Sequence, residues 1–264
     1  MKNIRKYGKA PFSVAVIHGG PGASGEMAPV AKALSSYIGV LEPLQTKSSI
    51  NEQVEELKTI LKKKGDLSII LIGYSWGAML GFIFTSKYPE FVKKLILVSS
   101  GVFEEKYALN IMKNRLNRLN KKEREEVLSI IEKLNNSKIK DKNTIMVKFG
   151  NLISKADSFD PMSHGSELIK CDYDIHQKIW KQAVDLRSSG KLLKFGEKIK
   201  CPVTAIHGDY DPHQYKGLKD SLSKVLKDFR FILIKKCGHK PWIEKKAKCE
   251  FYEILKKEIC LNLI

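Results

Sequence analysis

The sequence predicts an α/β protein with a doubly wound, mostly parallel sheet of about six strands and an inserted helical lid. Short apolar runs rich in β-branched residues alternate with segments of helical spacing, as buried parallel strands and their crossover helices do. The alternation stops once, where helical patterns follow one another for about 100 residues. A chain of 264 residues is long enough to bury a sizeable core in one such domain.

The predicted strands are continuous apolar runs rather than alternating ones, which indicates burial on both faces of the sheet. They are Ser13–Ile17, Ile38–Leu41, Leu67–Ile72, Lys94–Val98, Pro202–Ile206 and Arg230–Ile234. The helices predicted around them are Met27–Tyr37, Ile50–Lys64, Gly77–Lys87, Gly217–Lys227 and Lys245–Ile259. We expect residues 1–101 and 201–264 to form this core together.

Residues 102–200 contain helical patterns without a good strand, and we expect them to form the lid. The predicted helices are Lys121–Leu134, Asn143–Ala156 and Ile175–Ser189. Asn120 followed by Glu123 is a capping-box arrangement at the start of the first of these helices. Gly190 is a helix-ending signal for the third.

Composition excludes several classes of protein. The five cysteines are widely spread with no C-x-x-C pair, which favours reduced thiols in a cytoplasmic protein over disulfides or a zinc site. The longest apolar run, Gly77–Phe84, is too short to span a membrane, and Val14–Ile17 is too short for a signal sequence. The net charge of +18 is mostly lysine and evenly spread, which indicates a solvated surface rather than a nucleic-acid partner.

The strongest motif is Gly73-Tyr74-Ser75-Trp76-Gly77, between a predicted strand and a predicted helix. In that context the turn is sharp, and the glycines let the strand and the helix approach closely. The serine side chain is then exposed at the helix N-terminus. We interpret Ser75 as a nucleophile and the Trp76 N–H as a donor to a developing oxyanion.

Three further motifs follow other predicted strands. His18-Gly19-Gly20-Pro21-Gly22 follows the first, and a Gly20 N–H would be the second oxyanion donor, with His18 bracing the loop. This loop lacks the Gly-Lys-Ser/Thr ending of a phosphate-binding loop. His207-Gly208-Asp209-Tyr210-Asp211-Pro212 follows the fifth strand, and Cys237-Gly238-His239 follows the sixth. The order Ser75, an Asp and then His239 is that of a nucleophile, acid and base triad.

These motifs resemble the α/β-hydrolase superfamily, and the His-Gly-Gly-Pro-Gly loop is similar to that of proline iminopeptidase-like serine peptidases. The resemblance covers nearly all of the core but hardly the lid. It implies a triad of Ser75, Asp211 and His239, with Asp209 as the second choice for the acid. It also implies an oxyanion hole at Gly20 and Trp76, with no metal or organic cofactor.

Two departures from the family pattern affect the prediction. The antiparallel hairpin that usually precedes the first parallel strand is not evident, so we expect about six strands rather than eight. Iminopeptidases hold the substrate amine with acidic side chains, one of them often just after the triad Asp, where Pro212 and His213 stand here. Carboxylates in the lid that could replace it are Asp157, Asp160, Glu167, Asp172 and Asp174.

The sequence therefore predicts a serine hydrolase that cleaves an ester, thioester or amide of a small-molecule or short-peptide substrate. An iminopeptidase-like aminopeptidase and a hydrolase-fold protein that binds a small ligand are the alternatives. The positive net charge and the missing carboxylate after Asp211 favour a neutral or anionic acyl group over an aminoacyl group.

Overall fold

The computed structural model describes residues 3–66, 68–162 and 170–260. Leu67, the first residue of a predicted strand, and Glu167, a predicted lid carboxylate, lie outside these ranges. The strands within the ranges are β1 (Ile4–Tyr7), β2 (Phe12–Ile17), β3 (Ala23–Ser24), β4 (Gly39–Pro43), β5 (Ile69–Tyr74), β6 (Val92–Val98), β7 (Lys170–Cys171), β8 (Val203–Gly208) and β9 (Phe229–Ile234).

Seven of these described strands form one sheet in the order β1-β4-β2-β5-β6-β8-β9. All neighbours from β4 to β9 are parallel, which confirms the predicted doubly wound fold. The additional strand β1 lies at the edge and runs antiparallel to β4. Its two central residues, Arg5 and Lys6, are exposed, and this polar edge character hides the strand from a search for buried apolar runs.

The helices in the described ranges are α1 (Ala28–Leu34), α2 (Ile50–Lys64), α3 (Trp76–Lys87), α4 (Ile111–Asn117), α5 (Lys121–Asn135), α6 (Lys142–Asp157), α7 (Tyr173–Ser188), α8 (Lys191–Lys194), α9 (Tyr215–Leu222) and α10 (Lys248–Cys260). Helices α1 and α10 bury apolar side chains on one face of the sheet. Helices α2, α3 and α9 cover the other face. None of the helices described here is both long enough and apolar enough to cross a membrane.

Helices α4 to α8 lie between β6 and β8, where the sequence predicts an insertion. The capping box at the start of α5 is present: Asn120 accepts a hydrogen bond from the Glu123 N–H at 2.9 Å, and Glu123 accepts one from the Asn120 N–H at 3.2 Å. The insertion also contains β7, which the sequence does not predict. It pairs with β3 directly after the glycine-rich loop, so the insertion is tied to that loop.

Candidate active site

Ser75 lies between β5 and α3 with φ 51° and ψ −113°, a conformation that non-glycine residues rarely adopt. The two flanking glycines allow the turn. A Cβ on Gly73 would lie 2.3 Å from the Gly77 carbonyl oxygen, and a Cβ on Gly77 would lie 2.3 Å from the Ile17 carbonyl oxygen. Any larger residue at either position would therefore push strand and helix apart.

The structure brings Ser75, His239 and Asp211 together, although they follow three different strands. The His239 Nε2 lies 3.0 Å from the Ser75 Oγ, and its Nδ1 lies 2.7 Å from an Asp211 carboxylate oxygen. A carboxylate can only accept, so Nδ1 carries the proton and Nε2 is free to accept from the serine hydroxyl.

Asp211 rather than Asp209 contacts the imidazole. Asp209 instead accepts a hydrogen bond from the Cys237 N–H at 3.3 Å and lies 3.7 Å from the Lys235 ammonium. Cys237 itself is buried, and burial raises the pKa of its thiol far above the ordinary value. Such a thiol stays protonated at neutral pH and is a poor nucleophile.

The Asp211 carboxylate is fully buried among imidazole rings. His213 donates to one of its oxygens from its backbone N–H at 2.9 Å and from Nδ1 at 2.8 Å. His207 Nε2 lies 3.5 Å from the other oxygen. Burial works to raise the pKa of Asp211, but attraction to the three rings and the His213 hydrogen bond outweigh it, so that pKa lies well below the ordinary value. The carboxylate is therefore ionised at neutral pH.

His213 stays neutral in this arrangement. Burial lowers its pKa to about 4, despite the nearby carboxylate. Neither His213 nor His207 is singled out by the sequence as part of the site. The sequence feature that could have identified them is one histidine four residues before Asp211 and another two residues after it.

The glycine-rich loop is held in place by His18, as expected. His18 Nε2 accepts from the Gln45 N–H at 3.2 Å, so Nδ1 carries the proton and donates to the Gly19 carbonyl at 2.9 Å. Gly20 has a φ of 29°, and a Cβ on Gly22 would lie 2.5 Å from the Asp172 carbonyl oxygen. Gly20 and Trp76 line the same cavity as the serine hydroxyl.

A buried glutamate, Glu244, connects the loop that carries His239 to the segment that follows α6. One of its carboxylate oxygens accepts from the Gly238 N–H at 3.0 Å and the Phe159 N–H at 2.8 Å, and the other accepts from the Asp160 N–H at 2.7 Å. The His239 N–H donates to the Asp157 carbonyl at 2.8 Å. Sequence reasoning misses Glu244. The sequence feature that could have identified it is a carboxylate directly after the apolar residues Pro-Trp-Ile.

A cavity of about 790 Å³ opens onto Ser75 and His239. The core loops line one part of it, and helices α4 to α7 line the rest. Most of the side chains from the helices are apolar and include Ile111, Met112, Ile131, Leu134, Met146 and Phe149. Its volume lies within the range of cavities that enclose small organic ligands.

Each charged side chain that lines the cavity within the described ranges occurs in an ion pair. The pairs are Arg115–Asp157 with two contacts of 2.7 Å, Lys240–Glu26 at 2.6 Å and Arg187–Glu105 at 2.7 Å. Burial works to lower the pKa of Arg115, but attraction to Asp157 outweighs it and raises that pKa. Sequence reasoning does not identify Arg115.

Two of the other lid carboxylates named from the sequence, Asp160 and Asp172, have structural contacts. Asp160 pairs with Lys245 at 3.0 Å, and Asp172 caps α7 by accepting from the Ile175 N–H at 3.0 Å. Asp174 lies in the first turn of α7. Asp157 alone of these described carboxylates lines the cavity, where Arg115 already occupies both of its oxygens.

Asp211, His213 and His239 also have ligand atoms within 4.8 Å of one another, a spacing that a cation could bridge. In the structure these atoms are joined by the hydrogen bonds described above. The expectation that no metal or cofactor is needed stays a prediction.

Comparison with known proteins identifies the class. The sequence profile of a family described as alpha/beta hydrolase fold matches residues 13–246. The chain therefore belongs to the α/β-hydrolase family of enzymes. This agrees with the sheet order and with the Ser, Asp, His order along the chain.

The individual relatives share little sequence with this chain or match only part of it. The chain is 31% identical over 121 residues to a proline iminopeptidase of Saccharolobus solfataricus, a match that covers 40% of this chain and only 39% of that protein. Among solved structures, VinJ is similar with a TM-score of 0.68 and 15% identity, covering 98% of this chain and 94% of VinJ. The Paleococcus ferrophilus monoacylglycerol lipase has a TM-score of 0.61 and 15% identity, with 97% of each chain covered. These structural likenesses show the fold alone.

Proposed function

We propose that this protein is a serine hydrolase that cleaves an ester, thioester or amide of a small substrate through an acyl-enzyme. The observation that carries the proposal is the hydrogen-bonded chain from Ser75 through His239 to Asp211, at the wall of a cavity of about 790 Å³. The same geometry defines serine hydrolases on unrelated folds, so it is a stronger argument than the fold itself.

In the first step, the Ser75 oxygen forms a bond to the substrate carbonyl carbon while His239 Nε2 takes the hydroxyl proton. The carbonyl oxygen becomes an anion, which the N–H groups of Gly20 and Trp76 stabilise. Trp76 suits this role because the first amides of a helix have no partner within the helix. The Asp211 carboxylate stabilises the imidazolium that forms.

The intermediate then collapses. His239 returns the proton to the leaving group, and the acyl group stays on Ser75. A water molecule attacks this ester while His239 takes its proton, and the acid product leaves with the serine restored. His213 holds Asp211 in place through its two hydrogen bonds, and His207 Nε2–H donates to the His213 carbonyl at 2.8 Å. Besides substrate and water, the steps draw on side chains and amides of this chain.

We further propose that residues 102–200 act as a lid on a core formed by residues 1–101 and 201–264. The support is the position of α4 to α7 in the cavity wall, opposite the loops that carry the triad. We also propose a small-molecule or short-peptide substrate, no nucleic-acid partner, and a cytoplasmic location in keeping with the five free cysteines.

A neutral acyl group suits the cavity better than an aminoacyl group. A buried ammonium needs a carboxylate partner. Among the residues that the structure describes, the carboxylates that line the cavity outside the triad are Glu26 and Asp157, and each is already paired with a cationic side chain. An iminopeptidase activity is the second candidate. Its support is the partial match to the Saccharolobus solfataricus proline iminopeptidase. The resemblance of the His-Gly-Gly-Pro-Gly loop to that of proline iminopeptidase-like peptidases adds to it.

A substrate panel tests the proposal. We expect acetyl and butyryl aryl esters to be cleaved with a higher kcat/KM than prolyl or alanyl arylamides. A kcat/KM for either arylamide at least about tenfold above that of the matched ester, a difference of about 1.4 kcal/mol in transition-state binding, would favour the iminopeptidase. Labelling of Ser75 by a fluorophosphonate without turnover of any panel member would favour the ligand-binding alternative.

A further inference from the structure

The cavity has more apolar wall than a short acyl group can use. Helices α4, α5 and α6 turn apolar side chains toward it, and several are only half-buried because they face the cavity instead of protein. Examples are Ile111, Ile131 and Met146. Half-buried apolar side chains that converge on one cavity indicate a ligand with a matching apolar surface.

Charge in the wall restricts that ligand further. Arg115 and Asp157 satisfy each other through two short hydrogen bonds, and Lys240 and Glu26 form a second pair. A charged group at the end of an acyl chain would have to break one of these pairs or be buried without a partner, and both are costly. The wall therefore selects against a terminal amine as well as a terminal carboxylate.

We propose that the cavity binds an extended, uncharged aliphatic acyl chain, on the order of eight carbons long, with α4 to α6 packed along it. This inference rests on the proposed acyl-enzyme function and specifies its substrate class. The ester, thioester or amide carbonyl would lie at Ser75, and the chain would cover the apolar side chains of the helices. Hydrolysis would release the free fatty acid, with water supplying the hydroxyl group and the leaving group taking the proton.

The first test is a series of aryl esters of acetyl, butyryl, hexanoyl and octanoyl groups, used below the concentrations at which they form micelles. Each buried methylene should raise kcat/KM about threefold to fourfold. Because burial along the chain is incomplete, we expect octanoyl to exceed acetyl by at least about 30-fold. An octanoyl ester with a terminal amine or carboxylate should be at least about tenfold slower than the plain one.

The second test places the chain on the helices. Ile131→Ala and Met146→Ala each remove part of the apolar wall and should lower the octanoyl-to-acetyl ratio of kcat/KM at least about fivefold. Leu128→Ala is the matched control, because Leu128 lies on the same helix as Ile131 but is half-exposed to solvent at 50%. Its ratio should stay within about twofold of that of the wild type.

The outcomes separate the two levels of the proposal. If acetyl is cleaved but kcat/KM falls steadily toward octanoyl, or if the charged octanoyl esters are cleaved as fast as the plain one, the chain-binding inference is wrong and the hydrolase proposal stands. If Ile131→Ala and Met146→Ala leave the ratio unchanged, the chain does not lie on α5 and α6. If no ester is cleaved and Ser75 is not labelled by a fluorophosphonate, the proposed function itself is overturned.

Discussion

Replacement of Glu244 by glutamine tests whether this carboxylate positions His239. It changes none of the three triad side chains. Glutamine keeps the volume and one acceptor oxygen, which can still serve Gly238 and Phe159. Its NH₂ group would face the Asp160 N–H, which now donates to a carboxylate oxygen at 2.7 Å. The charge-assisted hydrogen bond is then lost, because the glutamine NH₂ group and the Asp160 N–H are both donors and face each other.

The expected magnitude follows from that lost bond. A hydrogen bond to a charged acceptor contributes about 1.5 to 3 kcal/mol, and loss of the negative charge weakens the other two bonds as well. We expect the free energy of unfolding to fall by about 2 to 3 kcal/mol. The His239 N–H bond to the Asp157 carbonyl remains, but the loop around it loosens. We expect kcat to fall about 10- to 100-fold, with a smaller change in KM.

Urea unfolding and steady-state hydrolysis of an octanoyl or butyryl ester measure the two effects. Glu253→Gln is the matched control, since it makes the same change at an exposed position of α10. It should alter the free energy of unfolding by less than about 0.5 kcal/mol. A Glu244→Gln protein with the stability and kcat of the control would refute the claim that this carboxylate positions His239.

Three further substitutions test the acid and the core. Asp211→Asn should lower kcat about 10⁴-fold, because it removes the acceptor that fixes the His239 tautomer, whereas Asp209→Asn should cost less than about tenfold; kinetics on both variants would expose the reverse ranking. Burial works to raise the pKa of Glu258, but its contacts with Lys94 and other neighbours outweigh it and lower that pKa. The carboxylate therefore adds stability above the ordinary pKa of about 4.3, and that stability is lost as the pH falls through the lower folded-state value. Glu258→Gln should lower the free energy of unfolding by about 3 to 5 kcal/mol at pH 7 and by less as the pH falls well below that ordinary value. An equal loss in urea unfolding at pH 7 and in acid would contradict this.

The parallel strands and the longer helices could be predicted because their local signals agree with their tertiary roles. Helix α2 has the predicted bounds, since Ser49 caps its start and Gly65 follows its end. Strand β9 lies within one residue of its predicted start because its apolar run is continuous. Strand β1 was missed because its exposed Arg5 and Lys6 give no apolar run. Helix α4 was missed because its seven residues are too few to show a clear helical periodicity.

The residues of the site also fall into those that local sequence signals predict and those that they miss. Ser75 and His239 could be predicted because local motifs place them directly after strands. The resemblance favours Asp211 over Asp209 as the acid, although both lie in one turn, and in the structure only the Asp211 side chain reaches the imidazole. Glu244 could not be predicted because it accepts from N–H groups about 85 residues away in the chain, and no local pattern encodes such contacts.

The central claim is that Ser75 is the nucleophile that His239 activates. The most direct measurement is fluorophosphonate labelling of the wild type and of Ser75→Ala, followed by mass spectrometry of the peptides. We expect one adduct on Ser75 in the wild type, no adduct in the variant, and ester turnover lost together with the label. Labelling that survives Ser75→Ala, or that maps to another serine in the wild type, would contradict the account.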